Sequence, residues 1–365
     1  MLFTEGESQR RQPKPEKLPT VWVVCNDGDE KSCKGDVNVA KGIAEKINPN
    51  FLVHPLSSLD LSKRPDILVL PTYINLKNNN ILNDRNLKDI FVVQSKISRK
   101  IIPFVGYPKI DLLAIPSNLL SGTIFNIVCD NKKCLKTLGV AHNITPEKIE
   151  AGKKEWENQF TDFPEPKIAV LLGGDCAEFS FTPEMARKMA KECTQKAKEL
   201  GGSLIITTSN RTSKEATEAF MDEIKDEYDV PAYLHDWRMD AAKGNPYYGI
   251  LGLADAIIVS GESMSMCCEA NQAFTRNQNE EIIRTPVYIY DFDGKLRESD
   301  KALHEQLYNH KLKDGTPNPV AKPFSEFLEK GIEKWEYEPL DTAGDIAREA
   351  LTRWRAKQVS SHGYV

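Results

Sequence analysis

Residues 245–270, NPYYGILGLADAIIVSGESMSMCCEA, carry the clearest fold signal in the chain. They predict a helix from Pro246 to Leu253, a buried strand from Ala256 to Val259, a turn at Gly261 and then a second helix. The strand is a short apolar run ended by small polar residues, which is typical of a central parallel strand covered on both faces. A strand that turns into a helix leaves backbone N–H groups at the carboxyl edge of the sheet. The stretch therefore predicts a phosphate site.

Two serines, Ser263 and Ser265, fall in the first turn of this second helix. If either serine caps the helix, Glu269 lies one turn further on and shares a face with Ser265. A hydroxyl and a carboxylate would then meet at the mouth of the strand, where a carboxylate can accept both hydroxyls of a ribose. The residues alone leave an alternative equally open, in which the serines merely cap the helix and Glu269 is solvated.

The rest of the second half alternates strands with helices, as in a doubly wound α/β domain. The pattern predicts strands at 167–172, 203–208, 232–235 and 287–290, and helices at 183–200 and 213–228. Three further helices are predicted at 299–309, 323–334 and 341–357. Ile346, Ala350, Leu351 and Trp354 form an apolar stripe on the last one. We expect that helix to pack on another part of the chain, and the first domain is a candidate.

The first half also reads as α/β. It opens with the apolar run TVWVVC at 20–25, a Gly- and Asp-rich turn and an amphipathic helix at 37–47. Further strands are predicted at 51–54, 66–70, 101–105, 112–115 and 123–128. A charged helix and a proline-rich run between 144 and 166 indicate a linker before the second half.

Composition argues against several classes of protein. The 48 basic and 53 acidic residues give a formal charge of -5, which does not suit a nucleic-acid binder. No apolar run is long enough to span a membrane and the start lacks the apolar core of a signal peptide, so we expect a cytoplasmic protein. The adjacent Cys267 and Cys268 cannot belong to a simple disulfide framework, so we expect the cysteines of the chain to be reduced thiols. Cys129 and Cys134 have no matching second pair for a zinc site. The sequence predicts neither a metal nor a cofactor.

Familiar catalytic motifs are missing from the sequence. It has no G-x-x-x-x-G-K-[ST], G-x-G-x-x-G, H-E-x-x-H or G-x-S-x-G. This argues against an ATPase, a dinucleotide oxidoreductase, a zinc protease and an ordinary α/β hydrolase.

Ligands of open α/β sheets bind outside the carboxyl ends of the strands. In the second half one such loop is Gly173-Gly174-Asp175, whose glycines let the backbone approach a phosphate. Another is Ser209-Asn210-Arg211, where Arg211 either holds a diphosphate in a bidentate contact or is a surface Arg beside a capping serine. In the first half, Asp27 and Asp29 follow the first strand. These loops predict a two-lobed cleft for transfer from an activated nucleotide donor, with Asp27 or Asp29 as the general base.

The central stretch is similar to the signature of the mitochondrial fission ELM-type proteins, a plant and bacterial family whose bacterial members are regarded as glycosyltransferases. Further matches are the glycines after the 167–172 strand, the turn at 209–212 and GVAHNITPE at 139–147. The resemblance implies a GT-B-like pair of Rossmann-like domains, a nucleotide-sugar site mainly in the second domain, no catalytic metal, and a ribose contact at Glu269.

The chain departs from the family pattern at three places. Many relatives have Asp where this chain has Glu262, and a Gly-x-Pro soon after the EA pair, where NQAFTRNQNEEIIRTP stands here. The Gly-x-x-Asn-Gln helix start of the family appears as Gly35, Asp36, Val37, Asn38 and Val39.

The predicted organisation divides the chain into five parts. They are a disordered lead-in at 1–19, an N-terminal acceptor-side domain at 20–150, a linker at 151–166, a C-terminal nucleotide-sugar domain at 167–340, and a C-terminal helix and tail at 341–365. The donor site is predicted at Gly173, Gly174, Asp175, Ser209, Asn210, Arg211, Glu262, Ser263, Ser265 and Glu269.

Two functions from different classes fit these predictions. The first is a metal-independent glycosyltransferase that takes a nucleotide-sugar donor, with an acceptor that the sequence does not identify. The second is a non-catalytic adaptor of the mitochondrial-fission type, with the same nucleotide-binding fold and a surface that recruits a partner at the periphery of a membrane. The lack of an amphipathic anchor or lipidation motif argues mildly against the adaptor.

Overall fold

A computed structural model describes residues 17–27, 35–71, 87–95, 110–119, 133–176, 178–227, 230–238 and 244–362. The strands predicted at 101–105 and 123–128 lie outside these residues, as do Asp29 and most of the predicted lead-in. In the described part, no helix is long and apolar enough to cross a membrane.

Two parallel sheets organise the described residues. The first has the spatial order β2-β1-β3-β4-β5-β6, with β1 (Val21–Cys25), β2 (Leu52–Pro55), β3 (Ile67–Leu70), β4 (Phe91–Gln94), β5 (Leu112–Pro116) and β6 (Cys134–Thr137). The second has the order β14-β13-β10-β7-β8-β9, with β7 (Lys167–Leu172), β8 (Ser203–Thr208), β9 (Ala232–His235), β10 (Ala256–Ser260), β13 (Val287–Tyr290) and β14 (Lys322–Pro323). An antiparallel hairpin joins β11 (Phe274–Arg276) to β12 (Ile282–Arg284).

Helices connect these strands. They are α1 (Gly35–Ile47), α2 (Pro146–Trp156), α3 (Pro183–Glu199), α4 (Lys214–Glu227), α5 (Tyr247–Leu253), α6 (Met264–Ala270), α7 (Glu298–Tyr308), α8 (Phe324–Lys330) and α9 (Thr342–His362). Thr145 and Thr182 cap α2 and α3, and in each case a proline occupies the first turn.

The second sheet is buried on both faces because its central strands are almost wholly apolar. Alternate side chains of β7 and β10 enter two separate hydrophobic clusters, one on each side of the sheet. From β7 the chain adds β8 and β9 on one side and then crosses to add β10 and β13 on the other. The strand order therefore reverses between β7 and β10, so their carboxyl ends flank the crevice in which such sheets bind ligands.

The last helix, α9, returns to the first sheet, as the sequence predicted. Ile346 and Ala350 are buried in the same cluster as Val23, Val69 and residues of α1, with Leu351 and Trp354 packed against it. The helix extends to His362, beyond the predicted end at residue 357. Its apolar stripe thus covers one face of the first domain.

One further predicted bound and one chemical expectation need correction. α8 ends at Lys330 rather than at residue 334, because Gly331 takes a left-handed conformation (φ 76°) and stops the helix. The prediction of reduced thiols was wrong for Cys134, which is disulfide-bonded. Among the described residues, Cys176, Cys193 and Cys267 are free thiols. The five-part division of the chain stays a prediction.

Candidate functional site

The two glycines after β7 bring the backbone directly against two other loops at the switch point. Gly173 N donates to Ser260 Oγ at 2.7 Å, and Gly174 N donates to Glu262 Oε1 at 2.6 Å. A Cβ on Gly173 would overlap the Glu262 carboxylate, and one on Gly174 would overlap the backbone of Arg211. Only glycine allows this approach, so the two residues are required for close packing of the loops, and their contact with a phosphate stays a prediction.

Glu262 is the most unusual group of this loop cluster. Its side chain is buried, with the residue only 1% exposed. Oε1 accepts from Gly174 N and from the Ser260 hydroxyl at 3.1 Å, whereas Oε2 is buried and has no hydrogen-bond partner among the residues that the structure describes. Burial raises the pKa of Glu262 to about 7, against the opposing effect of its hydrogen bonds and of the Arg211 charge. The carboxyl group is thus poised between its neutral and charged forms near neutral pH.

Arg211 approaches the same place from the turn after β8. Its Nη2 lies 3.4 Å from Ser263 Oγ, and its Nη1 donates to the Asp175 carbonyl oxygen at 3.3 Å. The turn is fixed to the glycine loop because the Ser209 hydroxyl donates to the Gly173 carbonyl oxygen at 2.8 Å. Asn210 is exposed at the tip of the turn. Three loops predicted from the sequence are therefore brought together.

Arg297 is a second cation of the site, and the sequence analysis missed it. Its guanidinium forms two hydrogen bonds with the carboxylate of Asp300, at 2.7 and 2.6 Å, and Nη2 lies 3.5 Å from the Glu262 carbonyl oxygen. The pKa of Arg297 is raised by Asp300 despite the lowering effect of burial. Burial raises the pKa of the nearby Cys176 thiol, while the charges of Arg297 and Arg211 act to lower it. An Arg at the start of a surface helix gives no sign in sequence that it will point into a cleft.

Of the two serines considered as caps of the second helix, Ser263 has the N-cap position of α6 but makes no capping hydrogen bond through its side chain. Its backbone angles there, φ -94° and ψ 84°, are not those of a usual N-cap. The hydroxyl faces Arg211 instead, as described above.

Glu269 is held by an aromatic partner rather than solvated. The Tyr247 hydroxyl donates to Glu269 Oε2 at 2.6 Å. Burial raises the pKa of Glu269, with the Tyr247 hydrogen bond opposing that shift, and burial also raises the pKa of Tyr247. Glu269 is only partly exposed, so the expectation of a freely solvated side chain is not met. The contact with Tyr247 could not be predicted from spacing, because it joins two different helices.

Two acidic residues predicted at the site have local structural roles. Asp175 Oδ1 accepts from Phe181 N at 2.8 Å and so closes the loop after the two glycines. Asp27 Oδ1 accepts from Ser57 N at 2.9 Å, and these hydrogen bonds with Ser57 lower the pKa of the exposed Asp27. A lowered pKa makes Asp27 a weaker general base. Asp29, the other predicted base, lies outside the described residues.

The first domain contacts the second on both sides of this loop cluster. A Cβ on Gly35, at the start of α1, would lie 3.8 Å from Ser265 Oγ. After β5, Ser117 Oγ donates to Gln306 Oε1 at 2.9 Å, and Asn118 Nδ2 donates to the Ser299 carbonyl oxygen at 3.0 Å. The start of α1 therefore lies next to Ser265, and the segment after β5 contacts α7.

Comparison with known proteins agrees with this architecture. The mitochondrial fission protein ELM1 of Arabidopsis thaliana is 26% identical over 232 residues, which cover 62% of this chain and 46% of that protein. An uncharacterized Rickettsia prowazekii protein, RP120, is 25% identical over 221 residues, which cover 60% of this chain and 55% of that protein. The chain thus spans about half the length of the curated relatives it matches.

Among solved structures, a candidate UDP-N-acetylglucosamine 2-epimerase from Listeria monocytogenes aligns with a TM-score of 0.52 at 10% identity, over 94% of this chain and 98% of that one. This likeness concerns the fold, which is that of two Rossmann-like α/β domains facing a cleft, as in GT-B proteins. A family model described as mitochondrial fission ELM1 matches residues 103–354, which is more than half of the chain. The chain therefore belongs to the mitochondrial fission ELM1 family.

Proposed function

We propose that this protein is a glycosyltransferase that binds a nucleotide-sugar donor in the cleft at the β7/β10 switch point. The convergence of Gly174, Arg211, Arg297 and the buried Glu262 carries the proposal. A donor diphosphate placed beside the glycine loop would face two guanidinium groups. These groups would stabilise the charge that develops on the leaving diphosphate, a role that a metal ion has in other transferases.

Glu262 Oε1 already accepts the Gly174 N–H that a diphosphate oxygen would use. The two anions compete for the same donor, so a bound phosphate favours either the protonated carboxyl group or its rotation away from the loop. A protonated Glu262 would itself donate a hydrogen bond to a phosphate oxygen. Donor binding is accordingly proposed to take up a proton near neutral pH.

The ribose of the donor is proposed to bind at Glu269. Tyr247 occupies one carboxylate oxygen of Glu269 in the structure. A ribose hydroxyl would therefore use the other oxygen or replace the tyrosine hydroxyl. The general base is proposed to come from Asp27 or Asp29, and the lowered pKa of Asp27 favours Asp29 of the two.

The first experiment is a thermal-stability screen of the purified protein against UDP, GDP, ADP and their sugar conjugates. A ligand at 100 times its Kd adds about 2.7 kcal/mol to the free energy of unfolding. We expect stabilisation by one base series that is reduced in Arg211→Ala and Glu269→Ala. Arg348→Ala, which removes an exposed Arg on α9, serves as the control and should leave the shift unchanged.

Donor turnover is then measured as release of the nucleoside diphosphate, with and without sugar and lipid acceptors. Absence of any nucleotide-dependent shift would reject the proposed donor site. A shift without release of the diphosphate would reject catalysis while leaving the binding site in place.

A non-catalytic adaptor is the second candidate function. The Arabidopsis relative is named a mitochondrial fission protein. The bond between Glu262 and Gly174 also favours this function, because it occupies the N–H that a donor phosphate needs. Nucleotide binding without turnover, together with a nucleotide-dependent change in membrane recruitment, would support the adaptor.

A further inference from the structure

A cavity of about 460 Å³ lies at the carboxyl end of β13, between α7 and α8. This volume falls within the range of small-molecule sites in proteins. Its walls include the aromatic rings of Tyr290, Tyr308 and Phe324, of which Tyr290 and Phe324 are buried. The cavity therefore offers an apolar floor of a size that suits a small organic ligand.

Helix α7 separates this cavity from the interdomain cleft. The backbone of Ser299 and the side chain of Gln306 contact the first domain on one side of the helix. His304, Glu305 and Tyr308 line the cavity. With about 100° of rotation per residue, His304 and Tyr308 lie on the face opposite Ser299 and Gln306, and Glu305 lies to one side of it. A ligand in the cavity would thus lie on the side of α7 away from Ser299 and Gln306, and His304 would connect it to the loop that begins at Gly261.

His304 lines the cavity, and among the described residues only one of its two ring nitrogens has a hydrogen-bond partner. The residue is 4% exposed, and its Nε2 lies 2.8 Å from the Gly261 carbonyl oxygen. A carbonyl oxygen can only accept, so Nε2 carries a proton. Burial lowers the pKa of His304, which keeps the ring neutral and makes Nδ1 an acceptor. Within the described part of the chain, Nδ1 has no hydrogen-bond partner.

The charged groups of the lining are mainly acidic. Asp291 and Glu305 form no ion pair with any residue that the structure describes. The cation of the lining, Lys301, lies 2.9 Å from Glu298, a carboxylate outside the lining. The mouth of the cavity therefore carries unpaired negative charge above an aromatic floor, beside a buried nitrogen that accepts hydrogen bonds.

We propose that this cavity is a second binding site, separate from the cleft, for a small organic ammonium ligand with an aromatic or alkyl body. The ammonium group would donate to His304 Nδ1 and pair with Asp291 and Glu305, while the apolar body packs on Tyr290, Tyr308 and Phe324. A metal ion fits less well. Within the described ranges, no three His, Cys, Asp or Glu side chains are grouped closely enough to hold one.

The test uses three probes that share one apolar body: 4-phenylbutylamine, 4-phenylbutanol and 4-phenylbutanoate. Binding to the full chain is measured by ligand-observed NMR and by calorimetry at pH 7. We expect the amine to bind with a Kd of roughly 1 mM, since so small a molecule can make few contacts. The alcohol should bind at least about tenfold more weakly, and the carboxylate should not bind.

Substitutions in the lining test whether the amine binds in this cavity. Asp291→Asn and Glu305→Gln should each weaken amine binding about tenfold, and Ser325→Trp should abolish it by filling the cavity that Ser325 lines. Gln306→Ala, on the opposite face of α7, and Glu218→Gln, an exposed carboxylate on α4, are the controls and should leave the affinity unchanged. Circular dichroism verifies that every variant is folded.

Equal affinity for the three probes would overturn the proposal, as would failure of the amine to bind. Amine binding that survives Ser325→Trp, or that falls equally in Gln306→Ala and Asp291→Asn, would place the site elsewhere and would also overturn it.

Discussion

The raised pKa of Glu262 predicts that the second domain becomes less stable as pH rises to neutrality. The folded protein holds this proton up to about pH 7, whereas an ordinary glutamate loses it near 4.5. Because the folded state binds more protons over this range, the free energy of unfolding is highest below about 4.5 and falls as pH rises through about 7. Above that pH, both states are ionised and the dependence on Glu262 ends.

The magnitude follows from the same two values. Each tenfold difference in proton affinity corresponds to about 1.4 kcal/mol. The rise in the pKa of Glu262 from 4.5 to about 7 therefore corresponds to roughly 3 kcal/mol of unfolding free energy. Glu262→Gln keeps an oxygen for Gly174 N and Ser260 but cannot ionise. The difference in unfolding free energy between wild type and variant should therefore shift by roughly 3 kcal/mol in favour of the variant between pH 4.5 and pH 7.5.

Urea unfolding of both proteins across this range measures that difference, with Glu218→Gln as a control for the loss of an exposed carboxylate. A carbon-13 titration of the Glu262 carboxyl group measures its pKa directly. Arg211→Ala should raise that pKa further, because the Arg211 charge lowers it. A difference between wild type and Glu262→Gln that stays constant with pH would refute the reasoning.

Three further predictions concern the stability of the fold. Gly173→Ala should cost about 1–3 kcal/mol in thermal unfolding because its Cβ would overlap a buried carboxylate, whereas Gly35→Ala should be tolerated, since its Cβ has ordinary contacts. Ile346→Ala should lower the free energy of unfolding in urea by about 2–5 kcal/mol, because it leaves a cavity under α9. Val359→Ala is the control: this residue is 74% exposed, so the same free energy should change by less than about 0.5 kcal/mol. Arg297→Ala should destabilise by about 3–5 kcal/mol by leaving its buried carboxylate partner unpaired, and denaturant titration of that variant beside Arg297→Lys would detect the loss.

The strands of the second sheet were predictable because each is an apolar run that ends in small or polar residues. The bounds predicted for β7, β8, β9 and β13 agree with the structure. The hairpin of β11 and β12 was not predicted. Its strands are three residues long and flank a polar turn in which Glu280 takes a left-handed conformation, so the local sequence resembles an extended loop. β4 was not predicted either.

The loops of the candidate site were predictable, but their chemistry was not. The rule that ligands bind at the carboxyl ends of strands identifies Gly173, Arg211 and Ser263 together. The rule does not predict the directions in which the side chains of these loops point. The Tyr247 contact of Glu269 and the approach of Arg297 depend on packing between helices distant in sequence. The complete burial of Glu262 is likewise a tertiary effect, because a Glu between Gly261 and Ser263 resembles a solvated loop residue.

The return of α9 to the first sheet affects the order in which the protein matures on the ribosome. A nascent chain that has emerged as far as β6 contains the strands of the first sheet but not the helix that covers one of its faces. The whole second sheet must be synthesised before Ile346 and Ala350 become available. Until then, apolar side chains of α1 and of the neighbouring strands stay in contact with water or with chaperones. Stalled or truncated translation products should accordingly be more prone to aggregation than the full chain.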